Sequence, residues 1–472
     1  EASMSILAGT PREDQSASLD EILKRPGQAA VYAHQGALGD LAALLPAGSV
    51  DLVLAVVPRP NPALRSLSAV WAAWLWGRKS AGPMGAALRR RRYDWSWHAR
   101  AVQRSLAAAK VPLKPGAPLA GILGEAEPNA IAGILAAAAG AGLRLEGWAL
   151  CADTAEAQYV WRPAAAVPDK AADKTIRQTA RAAGTELLRS RGEPTRWIML
   201  HGAAWAGLAQ AGHLPWVPAD PLGPVNRALQ PVWDDRGTFQ RLEAAPDDES
   251  GIGLWYLAQP REASSPLGDR VELEVVRHLA PAMPVEAVEV LRLVGAAFAG
   301  QQTPERGFVL ACLSAYAVQD SSGLWQLRPE DLPAARAEEQ ASLLTALRTL
   351  AARQGFDATD GNPQVWREPC EAAADFQFVV LTSAVISPYL LEGIEMTGQR
   401  FLVLPGGRAG LVEAKLRRDP RLRAALQNGN WTLVKYRQIR RMLLDANLTR
   451  TTLGPALAGD PLEAMEQLAL IK

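Results

Sequence analysis

Four consecutive arginines, Arg89, Arg90, Arg91 and Arg92, are followed within five residues by Tyr93, Trp95 and Trp97. A guanidinium pairs with phosphate oxygens whatever the sequence, and an aromatic ring stacks on the face of a base. That order of residue types suits DNA. A second set of cations lies near the C-terminus: Lys415, Arg417, Arg418, Arg421 and Arg423, then Lys435, Arg437, Arg440 and Arg441. The whole chain carries a formal charge of only +1, so the positive charge is local. Nine Lys/Arg stand against Asp94 between Arg78 and Lys110, and eleven stand against Glu413 and Asp419 between Arg400 and Arg441. Basic runs on a neutral chain point to contact with a polyanion, either DNA or the acidic surface of a protein.

Other chemistries lack their anchors. The histidines, His34, His98, His201, His213 and His278, form no i, i+4 pair and no cluster with metal-ligand spacing. Cys151, Cys312 and Cys370 are too scattered for a disulfide framework or a zinc pattern. No Gly-x-Ser-x-Gly elbow and no Gly-x-x-x-x-Gly-Lys-Ser/Thr loop occurs, so esterase and P-loop ATPase readings have no support. No catalytic residue, metal or cofactor is assigned.

The elements that must position the basic runs follow from the apolar pattern. Leu52 to Val57 is an apolar, β-branched run that predicts a buried strand. A Trp-rich helix over 69–78 and a helix over 100–110 follow, then a strand at 118–124 and an Ala-rich helix at 127–140 closed by Gly140 and Gly142. Strands at 143–150 and 157–161 complete an α/β unit assigned to residues 1–165. Residues 166–265 read as helices at 173–189 and 197–210 plus a connecting region rich in Pro, Gly and Asp. Residues 266–332 carry helices near 269–279, 284–298 and 305–315 and a short strand at 324–328. That order fits a winged-helix module, which binds duplex DNA, and equally a small helical domain joining two larger ones. Residues 333–472 form a last α/β domain: a long helix, strands at 376–381 and 401–404, a basic helix from Gly410 and a strand at 431–436.

Within the first unit, Gly39-Asp40-Leu41 through Leu44 to Asp51, followed by the 52–57 strand, resembles the catalytic-loop segment of DNA amino-methyltransferases of the N4-cytosine/N6-adenine kind. In that family the strand ends in an Asp/Asn/Ser-Pro-Pro-aromatic loop, whose polar residue holds the target amino group and whose ring stacks on the flipped base. The matching positions here are Val57, Pro58, Arg59 and Pro60. Valine cannot accept a hydrogen bond or a proton. The resemblance therefore implies a partial Rossmann-like methyltransferase sheet, from the catalytic-loop strand to the closing antiparallel pair, with a degenerate catalytic loop. The family's Asp-Pro-Phe-x-Gly-x-Gly-like loop for S-adenosylmethionine has no counterpart upstream. Downstream, the stretch from Phe401 through Pro405, Gly406 and Gly407 to Gly410 is the nearest candidate, without the acidic residue or the Gly-x-Gly spacing.

The order of elements after Ala334 resembles the restriction-endonuclease-like (PD-(D/E)xK) fold. Its metal-ligand positions read Gln364 and Val379 to Leu381, and Glu413-Ala414-Lys415 falls in a helical stretch, where it reads as surface charge. These resemblances imply an inactive methyltransferase-like subunit, DNA-binding or scaffolding, of a prokaryotic DNA-modification or phage-defence complex. Protein partners are expected, and the 15 Trp against 7 Phe fit an interface. An active, permuted S-adenosylmethionine-dependent methyltransferase and a protein-only scaffold are the alternatives. No apolar run approaches the roughly 20 residues that cross a bilayer and the N-terminus is not a secretion signal, so a cytoplasmic protein without membrane contact is expected.

Overall fold

The computed structural model describes residues 18–24, 31–34, 36–57, 62–81, 95–164, 171–242, 253–260, 263–281, 283–370, 373–391 and 398–459. Pro58, Arg59, Pro60 and Arg89 to Arg92 lie outside them. The fold is mixed α/β. No helix among the described residues is long and apolar enough to cross a membrane.

The first sheet contains β1 (Val53–Val56), β2 (Leu119–Leu123), β3 (Leu143–Cys151) and β4 (Glu156–Pro163) in the order β1-β2-β4-β3. β1 runs parallel to β2, and β4 lies antiparallel between β2 and β3. This is the parallel pair and closing antiparallel pair expected from the sequence. Helices α1 (Leu19–Lys24), α2 (Leu38–Leu44), α3 (Pro62–Trp76), α4 (Trp95–Lys110) and α5 (Pro128–Gly140) are interleaved with it. In α5 every residue from Ala130 to Ala139 is buried, because apolar side chains surround it and neighbours must cover every face. Gly121 on β2 is required by packing: a Cβ there would lie 2.5 Å from the ring of Trp161, which stacks on Tyr159 at 5.0 Å.

The apolar core does not stop at residue 165. Helices α6 (Asp173–Arg191), α7 (Trp197–Gln210) and α8 (Gly223–Trp233) follow, with a small sheet of β5 (Thr195–Arg196), β6 (Phe239–Leu242) and β7 (Leu254–Leu257). One cluster of buried residues extends from Val57 to Leu257. The physical reason is α7, which is apolar all round and is covered by α5 and α6. The connecting region expected over 166–265 is therefore part of this core. Its helix α8 buries Val225, Ala228, Leu229, Val232 and Trp233, an i, i+3, i+4, i+7, i+8 stripe hidden among prolines and glycines.

His201 lies inside this core, 7% exposed, accepting a hydrogen bond from Trp205 Nε1 at 3.1 Å while its Nδ1 has no partner. Burial pushes its pKa down to about 4. Between that value and the ordinary 6.5 the unfolded chain binds the extra proton, so stability falls as pH falls. We expect about 2 kcal/mol to be lost between pH 7 and pH 5 through this group, and His201→Leu to lose less, in urea unfolding at the two pH values.

The second half is built on a five-stranded sheet: β10 (Asp357–Ala358), β11 (Gln364–Arg367), β12 (Phe376–Val380), β13 (Gln399–Leu404) and β14 (Trp431–Lys435), neighbours in that order. The first two junctions are antiparallel and the last two parallel. Before it come α9 (Leu267–Leu279), α10 (Ala287–Ala297), α11 (Arg306–Tyr316), the hairpin β8 (Ala317–Gln319) and β9 (Trp325–Leu327), and the long α12 (Pro333–Arg353). Between and after the sheet strands come α13 (Ser387–Leu391), α14 (Ala409–Arg418), α15 (Pro420–Asn428), α16 (Tyr436–Leu444) and α17 (Arg450–Leu457). Leu343, Leu347 and Leu350 of α12 and Ile439 of α16 pack on Phe378 and Phe401 at one face. On the other face, Val271, Val275, Cys312 and Val412 pack with Leu402 and Leu404.

The second cluster joins residues 266–332 to the last sheet in one core. The three helices and hairpin anticipated as a winged helix are present, and α11, which precedes the hairpin, buries Phe308, Val309, Cys312, Leu313, Ala315 and Tyr316. Its positions Arg306, Gly307 and Ser314 are exposed, so this burial fits a winged helix and a joining element alike.

Candidate interaction surfaces

Trp95 and Trp97 open α4, and both are half-buried. Trp95 packs against the first core and meets His98 edge-on at 5.8 Å. Its ring thus serves packing.

The C-terminal cations divide into two groups. Lys415 is 3% exposed and its ammonium is held by Asp269 at 2.5 Å, by Glu272, and by the carbonyl of Ala384 at 2.9 Å. Burial alone would lower the Lys415 pKa, but Glu272 and Asp269 outweigh it and hold it above the usual lysine value. Glu272 is further satisfied by the hydroxyl of Tyr316 and by Ala384 N–H at 2.7 Å. Arg418 pairs with Glu193 at 3.0 Å and with Glu305, and lies 4.7 Å over the ring of Phe308. Arg421 pairs with Asp419 at 2.5 Å, donates to Gly192 O at 2.9 Å and stacks 3.8 Å over Tyr256. Arg423 donates to Leu416 O at 3.2 Å, and Lys435 is buried. By contrast, Arg417, Arg437, Arg440 and Arg441 are exposed, with Arg440 also paired to Glu339 at 2.5 Å.

Lys415 and Lys435 are therefore buried rather than surface cations, a correction to the sequence reading, and Arg418 and Arg421 are half-buried in ion pairs. The reason is non-local. The face of α14 bearing residues 415 and 418 turns inward, toward carboxylates contributed by α9, Glu193 and Glu305. Charge counted along a short stretch does not include a carboxylate more than a hundred residues away. Glu413-Ala414-Lys415 is likewise split, with Glu413 half-exposed and Lys415 buried. At the nuclease-like positions, Gln364 is buried and its amide serves Leu344 O and Trp366 Nε1. Among the described residues no group of three His, Cys, Asp or Glu could hold a metal ion.

The candidate cofactor loop follows β13 as a tight turn at Gly406–Arg408, then α14 begins. The turn ends in Arg408, which is fully buried, paired with Asp331, bonded to Ala315 O and stacked 3.4 Å over Tyr316. Moreover, β13 and β1 belong to different sheets. A Rossmann-type crevice forms where neighbouring strands of one sheet diverge, so these two segments cannot share it.

At the end of β1, Val57 is 5% exposed and its N–H continues the ladder to Ile122 O at 2.8 Å. It presents packing surface and no polar group to a substrate. Along the same strand Leu52, Leu54 and Val56 are exposed, and β1 pairs only with β2 among the described residues. Helix α3 exposes Leu67, Val70, Trp71, Trp74, Leu75 and Trp76, each 49–75% accessible. Trp71 and Trp74 meet edge-on at 5.4 Å. This Trp-rich surface was noted in the sequence as a fact of composition.

No family model and no curated protein matches the chain. Solved structures of TTHA0409 from Thermus thermophilus, described as a "putative DNA modification methylase", are similar in part. A selenomethionine derivative is 13% identical, covers 31% of this chain and 57% of that one, and has a TM-score of 0.19. A complex with S-adenosyl-L-methionine is also 13% identical, covering 31% and 58%, with a TM-score of 0.18. This chain thus spans less than two thirds of that protein, and at such scores the likeness adds nothing to the strand order seen directly.

Proposed function

We propose that this chain is a non-catalytic, methyltransferase-like subunit that acts by assembling with a protein partner, in a prokaryotic DNA-modification or phage-defence complex. The observations that carry this reading are the edge of β1, uncovered among the described residues, and the exposed apolar side chains of α3. An edge strand offers unpaired backbone donors and acceptors, and in parallel sheets such strands are normally covered. The exposed apolar side chains of α3, three of them tryptophans, are of the kind that interfaces cover. The occupant we assign is a methyltransferase-like partner whose parallel strands continue the sheet past β1, supplying the cofactor-side half that this chain's resemblance lacks. Val57 at the end of β1 supports a non-catalytic role.

The test is co-purification with a methyltransferase subunit encoded beside this chain, together with sedimentation velocity of the chain alone and calorimetry with S-adenosylmethionine. Formation of a stoichiometric complex, with no cofactor binding by the chain alone, is the expected result. Self-association through the same surface would make a second copy the occupant. Cofactor binding by the isolated chain would overturn the non-catalytic reading.

A second role, DNA contact, is favoured by one observation: Arg437, Arg440 and Arg441 lie exposed together on α16. Binding of a duplex through them should weaken steeply with salt. Affinity equal at low and moderate salt would remove this role.

A further inference from the structure

A cleft of about 110 Å³ opens where the two halves meet, with Arg191, Arg196, Arg417, Arg418 and Glu305 in its walls. Arg191 ends α6 and Arg196 lies on β5, both in the first half; Glu305, Arg417 and Arg418 belong to the second. The inner charges balance in number, Arg191 and Arg418 against Glu193 and Glu305, but not in pairing. Arg418 takes both Glu193 and Glu305. Arg191, 4% exposed, is left 3.4 Å from Glu193 and donates Nη1 to Gln301 O at 2.9 Å, while its buried Nε has no partner. At the rim, Arg196 reaches Ala152 O only at 3.5 Å, and Arg417 stands 3.6 Å from Glu413. The four guanidinium groups thus face three carboxylates, Glu193, Glu305 and Glu413, and the one surplus positive charge lies at the rim.

We propose that this cleft binds a phosphate group, with Arg191, Arg196 and Arg417 donating to its oxygens. A guanidinium presents planar, paired donors that match phosphate geometry, and an oxyanion offers acceptors to the unpartnered Arg191 Nε and to the rim arginines. The volume admits several water-sized groups, enough for one tetrahedral anion and too little for a nucleoside beside it. Burial depresses the Arg191 pKa; Glu193 and Glu305 oppose that shift and Arg418 adds to it. Because the anion's ligands come from both halves, it would also hold them together. This site is independent of the β1 surface.

The experiment is calorimetry and thermal unfolding of the full chain with inorganic phosphate, with chloride at equal ionic strength as the control. ATP and a short DNA duplex are added as separate arms. Millimolar phosphate is expected to raise Tm by mass action, while chloride is not. Arg196→Ala/Arg417→Ala changes only rim residues and should fold normally, yet weaken phosphate binding at least tenfold. Tighter binding of ATP than of phosphate would identify a nucleotide as the source of the group, and tighter binding of the duplex would identify a nucleic-acid backbone, provided the double variant loses either. No stabilisation beyond chloride, or equal stabilisation of the double variant, overturns the proposal.

Discussion

Lys415→Met is expected to destabilise the chain by about 3–5 kcal/mol at pH 7 and to leave any salt-dependent DNA binding by the folded fraction unchanged. The ammonium is enclosed by Asp269, Glu272 and the Ala384 carbonyl, with the two carboxylate side chains 4% and 0% exposed. Methionine fills similar volume, so the cost is electrostatic: two carboxylates remain buried without their cation. Deprived of it, they take up protons in the folded state at a pH where the unfolded chain would not. The folded variant then binds more protons than the unfolded one, so its deficit shrinks as pH falls from 7 toward 5. That trend is opposite in sign to the one expected from His201. Urea unfolding of the parent and variant at both pH values separates the two, since the His201 contribution cancels in the difference between them. Arg417→Ala, two residues along but exposed, should change stability by less than about 0.5 kcal/mol. A Lys415→Met effect that small at pH 7 would show that the ion cluster contributes no net stability.

The contrast between Lys415 and Arg417 shows where the sequence is legible and where it is not. Strands β1 to β4 and helix α5 could be read because period and composition are local properties. Residues 143–151 alternate in burial, and 128–140 is a closed run of apolar side chains. Helix α8 escaped because its stripe is broken by Pro and Gly, which signal loops more strongly than five apolar positions signal a helix. The proposed boundaries at 165/166 and 332/333 followed changes of composition, while the cores followed surfaces that needed cover: the all-apolar α7 and the sheet face under α9, α11 and α14. Charge was the least legible property. Glu193, Asp269 and Glu272 lie far in sequence from the cations they neutralise, so a basic run looked like surface. The β1 surface is the reverse case. Its strand was anticipated, but as a buried one; Leu52, Leu54 and Val56 are exposed, because whether a neighbour covers a strand is decided only in three dimensions.

Replacing Trp71, Trp74 and Trp76 together with serine should therefore leave unfolding free energy nearly unchanged and abolish assembly with the partner. In the free chain Trp74 and Trp76 are 73% and 75% exposed and Trp71 is half-exposed, so little burial is lost on folding. Surface substitutions of this kind stay within about 0.5 kcal/mol each. In a complex the same rings are the strongest anchors available. A buried interfacial tryptophan contributes roughly 2 kcal/mol or more, and three acting together would weaken binding by about a thousandfold or beyond, even if not additive. Trp161→Ala provides the internal contrast. That ring is fully buried under Gly121 and against Tyr159, and its loss should cost about 3–5 kcal/mol of stability. Thermal unfolding and sedimentation of a complex would thus sort one residue type into two roles. A triple variant that unfolds like Trp161→Ala would mean that α3 belongs to this chain's own core and not to an interface. A triple variant that folds and still assembles would move the partner to another face.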